Sequence, residues 1–596
     1  MQLAIIDWAI VLAFFLISLL IGVVVARQAG SSASEFFLSG RNMPWWLLGI
    51  SMVATTFSAD TPNLVADIVR QNGVAGNWAW WAFLLTGMLT VFVYAKLWRR
   101  SGVMTDLEFY ELRYSGKPAA FLRGFRAIYL GVFFNVVIMA TVSLAAIKIG
   151  RVMLGLSPVQ TLLIASTVTV LYSMLGGLRG VLLTDFFQFI IAMIGAIGAA
   201  IVALRLPEVG GLGNLLSHPQ VADKLSILPD FGSMTWEQLL PLFVLPIAVQ
   251  WWSVWYPGAE PGGGGYVAQR MLSAKNEKHA IGATLLFNAA HYALRPWPWI
   301  LVALASLVVF PELTDMQTRF PDVEAGILRH DLAYPVMLTF LPAGLLGLVV
   351  ASLIAAFMST ISTHLNWGSS YIVNDFYRRF VKPDASDREL VMVGRISTVL
   401  LMALAALLAP WLENAKRGFD LLLQIGAGTG LLFILRWFWW RINAWSEIAA
   451  MAVSFFIALY FQIIHDRLGL PPVDTAWQLI IGVSVTTLSW LLATYLAPAV
   501  EMGTLRNFYR KIRPAGPGWQ PIQAAGEAPA TGRLGTEILA MIVGAFTVYG
   551  ALFATGFWIY GRTGWAVAMT LGAVAGAWVL LRLWIRIKDA DKASDR

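Results

Sequence analysis

The 596-residue chain has no cysteine, which rules out disulfides and thiolate metal sites. Charge is scarce too: Asp, Glu, Lys and Arg make up 13% of the residues, against about 25% in an ordinary soluble domain. A soluble chain of this length would need polar linkers between several domains, and these are nearly missing. The six histidines, His218, His279, His291, His330, His364 and His465, are scattered one to a segment, with no HExxH or HxxxD spacing. An intramembrane enzyme, such as a lipid-linked transferase, would need a convergent acid–base or metal-binding set, and the sequence offers none. His364 is expected to pack or bond within the bundle. A transporter-like sensor would carry a soluble output domain, and none follows residue 586.

What the chain has in excess is apolar residues, at 58%. Runs of about 20 recur almost end to end, each able to cross a hydrocarbon core roughly 30 Å thick. They fall at 4–26, 44–68, 77–98, 121–150, 157–176, 180–205, 237–257, 278–310, 337–377, 390–411, 418–440, 444–465, 477–498, 536–558 and 563–586. The reading is therefore an all-α integral membrane protein of roughly fifteen transmembrane helices. The first run has no basic segment before it and no small-residue cleavage site after it, so it reads as a retained helix. The run at 337–377 is too long for one untilted span. Segment 499–535, with Pro514, Pro517, Pro521 and Pro529, reads as a cytoplasmic linker between a core at 1–498 and a helix pair with a short basic tail at 536–596.

The net charge is +8, and its placement follows topology. Lys and Arg cluster at 96–126, 378–395, 506–533 and 582–596, whereas the loop at 311–332 carries Glu312, Asp315, Asp322, Glu324 and Asp331. An odd number of spans puts the termini on opposite sides, and the positive-inside rule then sets the N-terminus outside and the C-terminus in the cytoplasm of a plasma (inner) membrane. The basic excess implies contact with anionic membrane lipid, and no nucleic-acid partner. Trp and Tyr near many span ends fit an interfacial belt.

Three places hold polar groups that a plain anchor does not need. In the second span, Ser51, Thr55, Thr56, Ser58, Asp60 and Thr61 precede Pro62. Proline removes a backbone donor and obstructs the carbonyl four residues earlier, that of Ser58. A helix broken in the membrane frees carbonyls that need partners, and a desolvated sodium ion is one. The alternative is a proline kink with the hydroxyls bonded back into their own helix. In the ninth span, Ser359, Ser362 and Thr363 share one helical face, with Thr360 about 100° away; such residues also serve as helix-packing contacts. Asp185, after Leu175-Gly176-Gly177-Leu178-Arg179-Gly180, suits either a sodium ligand or a salt bridge to Arg179.

Taken together, several strings resemble the sodium:solute symporter family, whose members carry sugars, proline, sialic acid or iodide. They are FFLSGRNMPWWLLGISMVATTFSA at 36–59, LGGLRGVLLTDFFQ at 175–188, AQRMLSAKNEKHA at 268–280, AAFMSTISTHLN at 355–366 with SSYIVNDFY at 369–377, and FWWRIN at 438–443. The resemblance covers roughly residues 1–500 and implies a LeuT-type 5+5 inverted repeat with substrate and ions at the midplane. The repeats would span 44–205 and 237–440, with one helix before them and about four after. It further implies a first sodium site built from the carbonyls of Ala54, Phe57 and Ala356 and the hydroxyls of Ser359 and Thr360. A second would use Ser362, Thr363 and Asp185, with Ser359 shared, giving two sodium ions per solute.

For the solute, the matching positions are Asp60 and Thr61, then Trp80 in the Trp78-Ala79-Trp80-Trp81 stretch. Trp255 and Tyr256 are gate candidates, and Gln424 is a candidate to hydrogen-bond the solute. The run Gly262 to Gly265 reads as an inserted flexible loop. Arg70 and Arg295 could each hold a carboxylate or pair with a neighbour such as Asp67. The expected activity is sodium-coupled import of a small polar solute by alternating access, a sugar or polyol before a carboxylate or amino acid. The reading is compatible with a monomer.

Overall fold

In lipid, backbone polar groups of a spanning segment must be satisfied within the segment, and the apolar runs accordingly form helices. The computed structural model describes residues 3–594 apart from 57, 255–259, 322–327, 413–423 and 524–531, with backbone alone at 466 and 585–594. Among the described residues there is no strand, only two isolated bridges. Also among them, 11 helices are long and apolar enough to cross a membrane, and Trp45–Thr55 is a shorter apolar one. In chain order, the elements that matter for the site begin with α1 (Ile5–Ala29), α2 (Trp45–Thr55), α3 (Asp60–Asn72), α4 (Val74–Ser101), α5 (Gly116–Leu154) and α6 (Pro158–Leu204). They continue with α7 (236–253), α8 (Gly265–Ser273), α9 (Glu277–Val309), α10 (Leu345–Val381) and α11 (Asp387–Trp411). The C-terminal part has α12 (Gly430–Leu435), α13 (Ala444–Ile464), α14 (Thr475–Leu496), α15 (Met502–Ile512), α16 (Leu534–Ile559) and α17 (Thr563–Ser594).

The expected spans at 157–176 and 180–205 are the two helical arms of α6, 47 residues in all, which would reach roughly 70 Å if straight. The element bends at Gly177, where φ is 52° and ψ is −158°. A Cβ there would also lie 2.7 Å from the Phe36 carbonyl oxygen. Gly177→Ala should therefore lower stability by more than about 1 kcal/mol, read as a fall in the melting temperature of the detergent-solubilised protein.

Two spans are broken near their middles. In the first, α2 ends at Thr55 and α3 begins only at Asp60. The break lies ahead of Pro62, which sits in the first turn of α3, where its missing N–H costs nothing. The second lies between α7 and α8. Gly262, Gly263 and Gly265 have φ of 86°, 77° and 53°, and all of Gly262 to Gly265 are buried. The glycine run is thus a packed interruption of a span and not the flexible loop expected: the Trp98 indole donates to the Gly262 carbonyl at 2.8 Å, and a Cβ on Gly263 would meet Met271 and Thr90 at 2.8 and 2.9 Å.

Buried charges act as pins between helices. Asp7, in the first turn of α1, accepts from the Gly344 and Gly347 amides at 2.7 Å each. These amides open α10, where a carboxylate complements the helix dipole. Lys96 of α4 meets Glu537 of α16 at 2.5 Å, tying the C-terminal pair to the core. Segment 499–535, expected as a linker, is partly folded: α15 buries Leu505, Phe508, Tyr509 and Ile512, and the Trp519 indole donates to the Trp437 carbonyl at 2.8 Å. The Arg113 guanidinium lies against the rings of Phe508 and Trp519, which stack on each other with centroids 5.2 Å apart. The long run expected at 337–377 is divided: Ala333–Met337 is a separate short helix, and α10 starts only at Leu345 and runs to an end, Arg378 to Val381, that is largely exposed.

Candidate ion and solute sites

The break after α2 leaves the Thr55 carbonyl without a helical donor. It is satisfied from outside: Thr360 of α10 donates its hydroxyl to the Thr55 oxygen at 2.7 Å. Ala54 and Ala356 are buried beside this contact, each 2% exposed. Four of the five residues expected at the first sodium site, Ala54, Ala356, Ser359 and Thr360, therefore come from two helices joined at one point, while Phe57 lies outside the described residues. Because α10 is unbroken through Ala356, that carbonyl already serves the helix and has one lone pair to offer.

Ser359, one turn N-terminal to Thr363 on the same face, donates to Asp185 Oδ1 at 2.6 Å. Ser51 of α2 donates to Asp185 Oδ2 at 2.5 Å. Among the described residues, the cation within 4 Å of Asp185 is Arg270 of α8, at 3.8 Å, and not Arg179. Thr363 shares a hydrogen bond with Thr55 through their hydroxyls at 2.9 Å and accepts from Arg270 at 2.6 Å. Ser362 turns back to the Ser359 carbonyl at 3.1 Å. Asp185, Ser359, Ser362 and Thr363 are thus one fully buried cluster, with Ser51, Thr55 and Arg270 as members that sequence reasoning did not assign. Arg270 lies within the 268–280 string, but nothing local marks it as facing Asp185, 85 positions away in the chain.

Beside this cluster lies a cavity of about 150 Å³. Asp60, Thr61 and Trp80 all line it. It is shared by Thr56, Thr141, His291, Tyr292, Arg295 and His364, and Thr360 of the ion site also reaches it. Trp80 stacks on Tyr292 with centroids 5.9 Å apart and an interplanar angle of 25°, and its indole donates to Asn77 at 2.9 Å. Asp60 opens α3, where the dipole supports a carboxylate, and accepts a short hydrogen bond from Ser58. Arg295 donates to the Val53 carbonyl and the Thr56 hydroxyl, both at 3.1 Å; His291 bonds the same hydroxyl at 3.0 Å. Arg295 therefore fastens the end of α2. His364 pairs with Asn135 at 2.7 Å, the intrabundle bond expected of it.

Gln424 is not gathered there. It lines a separate cavity of about 1240 Å³ with Asp223, Lys224, Asp230 and Gln238, and bonds Gln478 at 3.1 Å and also Gln462. The chain turns at Gly428, with φ of 85°, before entering α12, and these bonds hold Gln424 against α13 and α14. Trp255 and Tyr256 lie outside the described residues. Arg70 caps the end of α9, donating to the Ser306 and Phe310 carbonyls at 2.9 and 2.8 Å, so it is not part of the solute cavity. Asp67 bonds Gln71 at 2.7 Å.

A helical membrane bundle in which two broken helices meet at a polar centre, next to a small cavity, has the architecture of a secondary transporter. Residues 36–453 match the model of the sodium:solute symporter family, and the chain belongs to that family. It is 26% identical over 456 residues to the sodium/glucose cotransporter of Vibrio parahaemolyticus, covering 74% of this chain and 82% of that one. It is also 26% identical over 490 residues to the sodium/mannose cotransporter of Bos taurus, covering 76% and 79%. With the sodium/myo-inositol cotransporter 2 of Mus musculus it shares 25% over 563 residues, covering 85% and 80%. The fold is similar to that of a sodium-coupled sialic acid symporter solved in a substrate-bound outward-open state, with a TM-score of 0.64, 20% identity, and coverage of 84% of this chain and 100% of that one. The protein is a transporter and not an enzyme, and sodium is its coupling ion.

Proposed function

We propose that the protein imports a sugar or polyol together with two sodium ions by alternating access. The observation that carries the solute class is the lining of the central cavity: the stacked Trp80–Tyr292 pair beside the Asp60 carboxylate. Flat rings suit the apolar face of a pyranose or cyclitol, and a carboxylate accepts from its hydroxyls. The carboxylate would repel an acidic solute, and Arg295, the cation at hand, is engaged by the α2 end. The sugar and inositol carriers among the relatives support the same class.

In this reading, the breaks in α2–α3 and α7–α8 are the paired discontinuous helices of a 5+5 inverted repeat, one repeat over 44–205 and the other over 237–440. The N-terminus faces outside, the C-terminus is cytoplasmic, and the spans number about fifteen. The core is 1–498, followed by the partly folded segment to 535 and the C-terminal pair. Ala54, Phe57, Ala356, Ser359 and Thr360 form the first sodium site; Asp185, Ser359, Ser362 and Thr363 form the second. Tyr256 and Trp255 gate the solute, and Gln424 meets it on its way in.

Uptake of labelled hexoses, inositols, amino acids and carboxylates into proteoliposomes, with inward sodium or potassium gradients, tests the reading. Sodium-driven uptake confined to carboxylates or amino acids would overturn the solute class. Within the sugar reading, Asp60→Asn should weaken solute affinity by about 10- to 100-fold, since hydrogen bonds to a charged group contribute about 1.5–3 kcal/mol. Trp80→Ala should weaken it by a smaller factor, about 2- to 10-fold. Both are read from the concentration dependence of uptake at saturating sodium.

A further inference from the structure

Arg270 is fully buried and sits where the second sodium ion is expected. Its Nη2 donates to the Thr363 hydroxyl at 2.6 Å and to the Ser51 hydroxyl at 3.2 Å. Its Nε donates to the Ser51 hydroxyl at 3.3 Å, and its Nη1 to the Gln269 side-chain oxygen at 3.0 Å. The same Nη2 is 3.8 Å from Asp185 Oδ2. The Asp185 carboxylate therefore already has a resident counter-charge, as a buried carboxylate requires.

A sodium ion held by Ser359, Ser362, Thr363 and Asp185 would compete with this arrangement directly. It would need the Thr363 oxygen, which already accepts from Arg270 and bonds Thr55. It would also place two cations around one carboxylate in a dry site, where like charges repel strongly. The two occupants would overlap at Asp185 and Thr363, the two groups of that set that face Arg270, whereas Ser359 and Ser362 are bonded to Asp185 and to the Ser359 carbonyl.

Building on the second sodium site of the proposed function, we propose that Arg270 is a tethered counter-cation: it occupies Asp185 and Thr363 while the second sodium is absent, and sodium binds there by displacing it. The exchange ties ion binding to movement. Arg270 belongs to α8, which follows the left-handed glycine interruption, whereas its partners Ser51, Asp185 and Thr363 belong to α2, α6 and α10. Sodium arrival thus removes the Arg270 bonds from α8 to Ser51 and Thr363 and leaves α8 less tightly fastened, with Gln269 still donating to Asn366 of α10 at 2.9 Å. Sodium departure restores them.

The test is thermal unfolding of the purified full chain against sodium, with choline holding ionic strength constant. It compares wild type with Arg270→Gln, Arg270→Lys, Asp185→Asn and the double variant Asp185→Asn/Arg270→Gln. Arg270→Gln should be less stable than wild type without sodium. It should regain stability on sodium addition, with a half-saturating concentration lowered by about tenfold or more, because binding stabilises by mass action and no resident cation opposes it. Arg270→Lys, which keeps the charge on a single-pronged group, should fall between the two, and it decides the matter if Arg270→Gln does not fold. In the Asp185→Asn background the Arg270→Gln shift should vanish.

A wild-type or raised sodium midpoint in the folded Arg270 variants, alongside a raised midpoint in Asp185→Asn, would overturn the exchange and leave the second site standing. A sodium response of Asp185→Asn indistinguishable from wild type would instead remove the second site itself, and the exchange with it.

Discussion

Ser359→Ala and Thr360→Ala should each raise the sodium concentration needed for half-maximal uptake by about 5- to 150-fold, the range set by about 1–3 kcal/mol for a lost buried polar contact. Each change removes a hydroxyl from a place with few substitutes. Thr360 links α10 to the freed Thr55 carbonyl at 2.7 Å, and Ser359 reaches Asp185 at 2.6 Å. In the proposed first site the ligands carry no formal charge, so no remaining group can strengthen to make up the loss. Stability in sodium-free buffer should fall by only about 1 kcal/mol, the net worth of one hydrogen bond. Sodium activation curves in proteoliposomes and melting curves in choline separate the two effects. An unchanged half-saturation in both variants would remove the ion from this position.

The largest stability effect is expected at Glu447, which is fully buried in the first turn of α13. Arg436 approaches its Oε1 at 3.3 Å, Arg126 its Oε2 at 3.4 Å, and the Tyr114 hydroxyl donates to Oε1 at 2.7 Å. One carboxylate thus joins α5, α13, the end of α12 and the segment before α5. Glu447→Ala leaves two buried guanidinium groups without their shared anion, and breaking a buried pair in this way costs about 3–5 kcal/mol. The melting temperature should drop more than for any single hydroxyl change in the ion site, and yield from the membrane should fall with it. Glu447→Gln keeps the shape and accepts the Tyr114 bond, so its loss should be smaller. A Glu447→Ala protein as stable as wild type would mean the rings of Phe109, Tyr110 and Phe433, which the two guanidinium groups overlie, hold them unaided.

Several features were readable before any geometry. A stretch of 20 apolar residues has one way to satisfy its backbone in lipid, so helix and membrane follow from composition alone. Local spacing puts Ser359, Ser362 and Thr363 on a shared face, because helical periodicity does not depend on what packs nearby. The resemblance placed Asp60, Thr61 and Trp80 at the solute site, and all three line the central cavity. It also put Thr360 beside the break in the second span, where it bonds Thr55.

Tertiary structure decided what depends on approach between distant segments. Pro62 pointed to a break around Ser58, and the interruption between Thr55 and Asp60 contains that residue; that Pro62 itself opens α3 was settled by the fold, since a proline in a first turn starts a helix as readily as it ends one. Gly262 to Gly265 read as a loop because a glycine run has no periodicity; that it is a packed break in a span rests on Thr90, Tyr94 and Trp98 arriving from α4. Gln424 stood in sequence as a solute-binding candidate, and the fold places it in a cavity separate from the one that Asp60, Thr61 and Trp80 line, against α14. Asp185 could be paired on paper with Arg179, six positions before it, but the direction of each side chain from α6 sends Asp185 to α2, α8 and α10. Composition and periodicity constrain each helix by itself, because they act within a few turns of chain; which charge meets which is a property of the packing between helices, and only the folded arrangement puts Arg270 against Asp185.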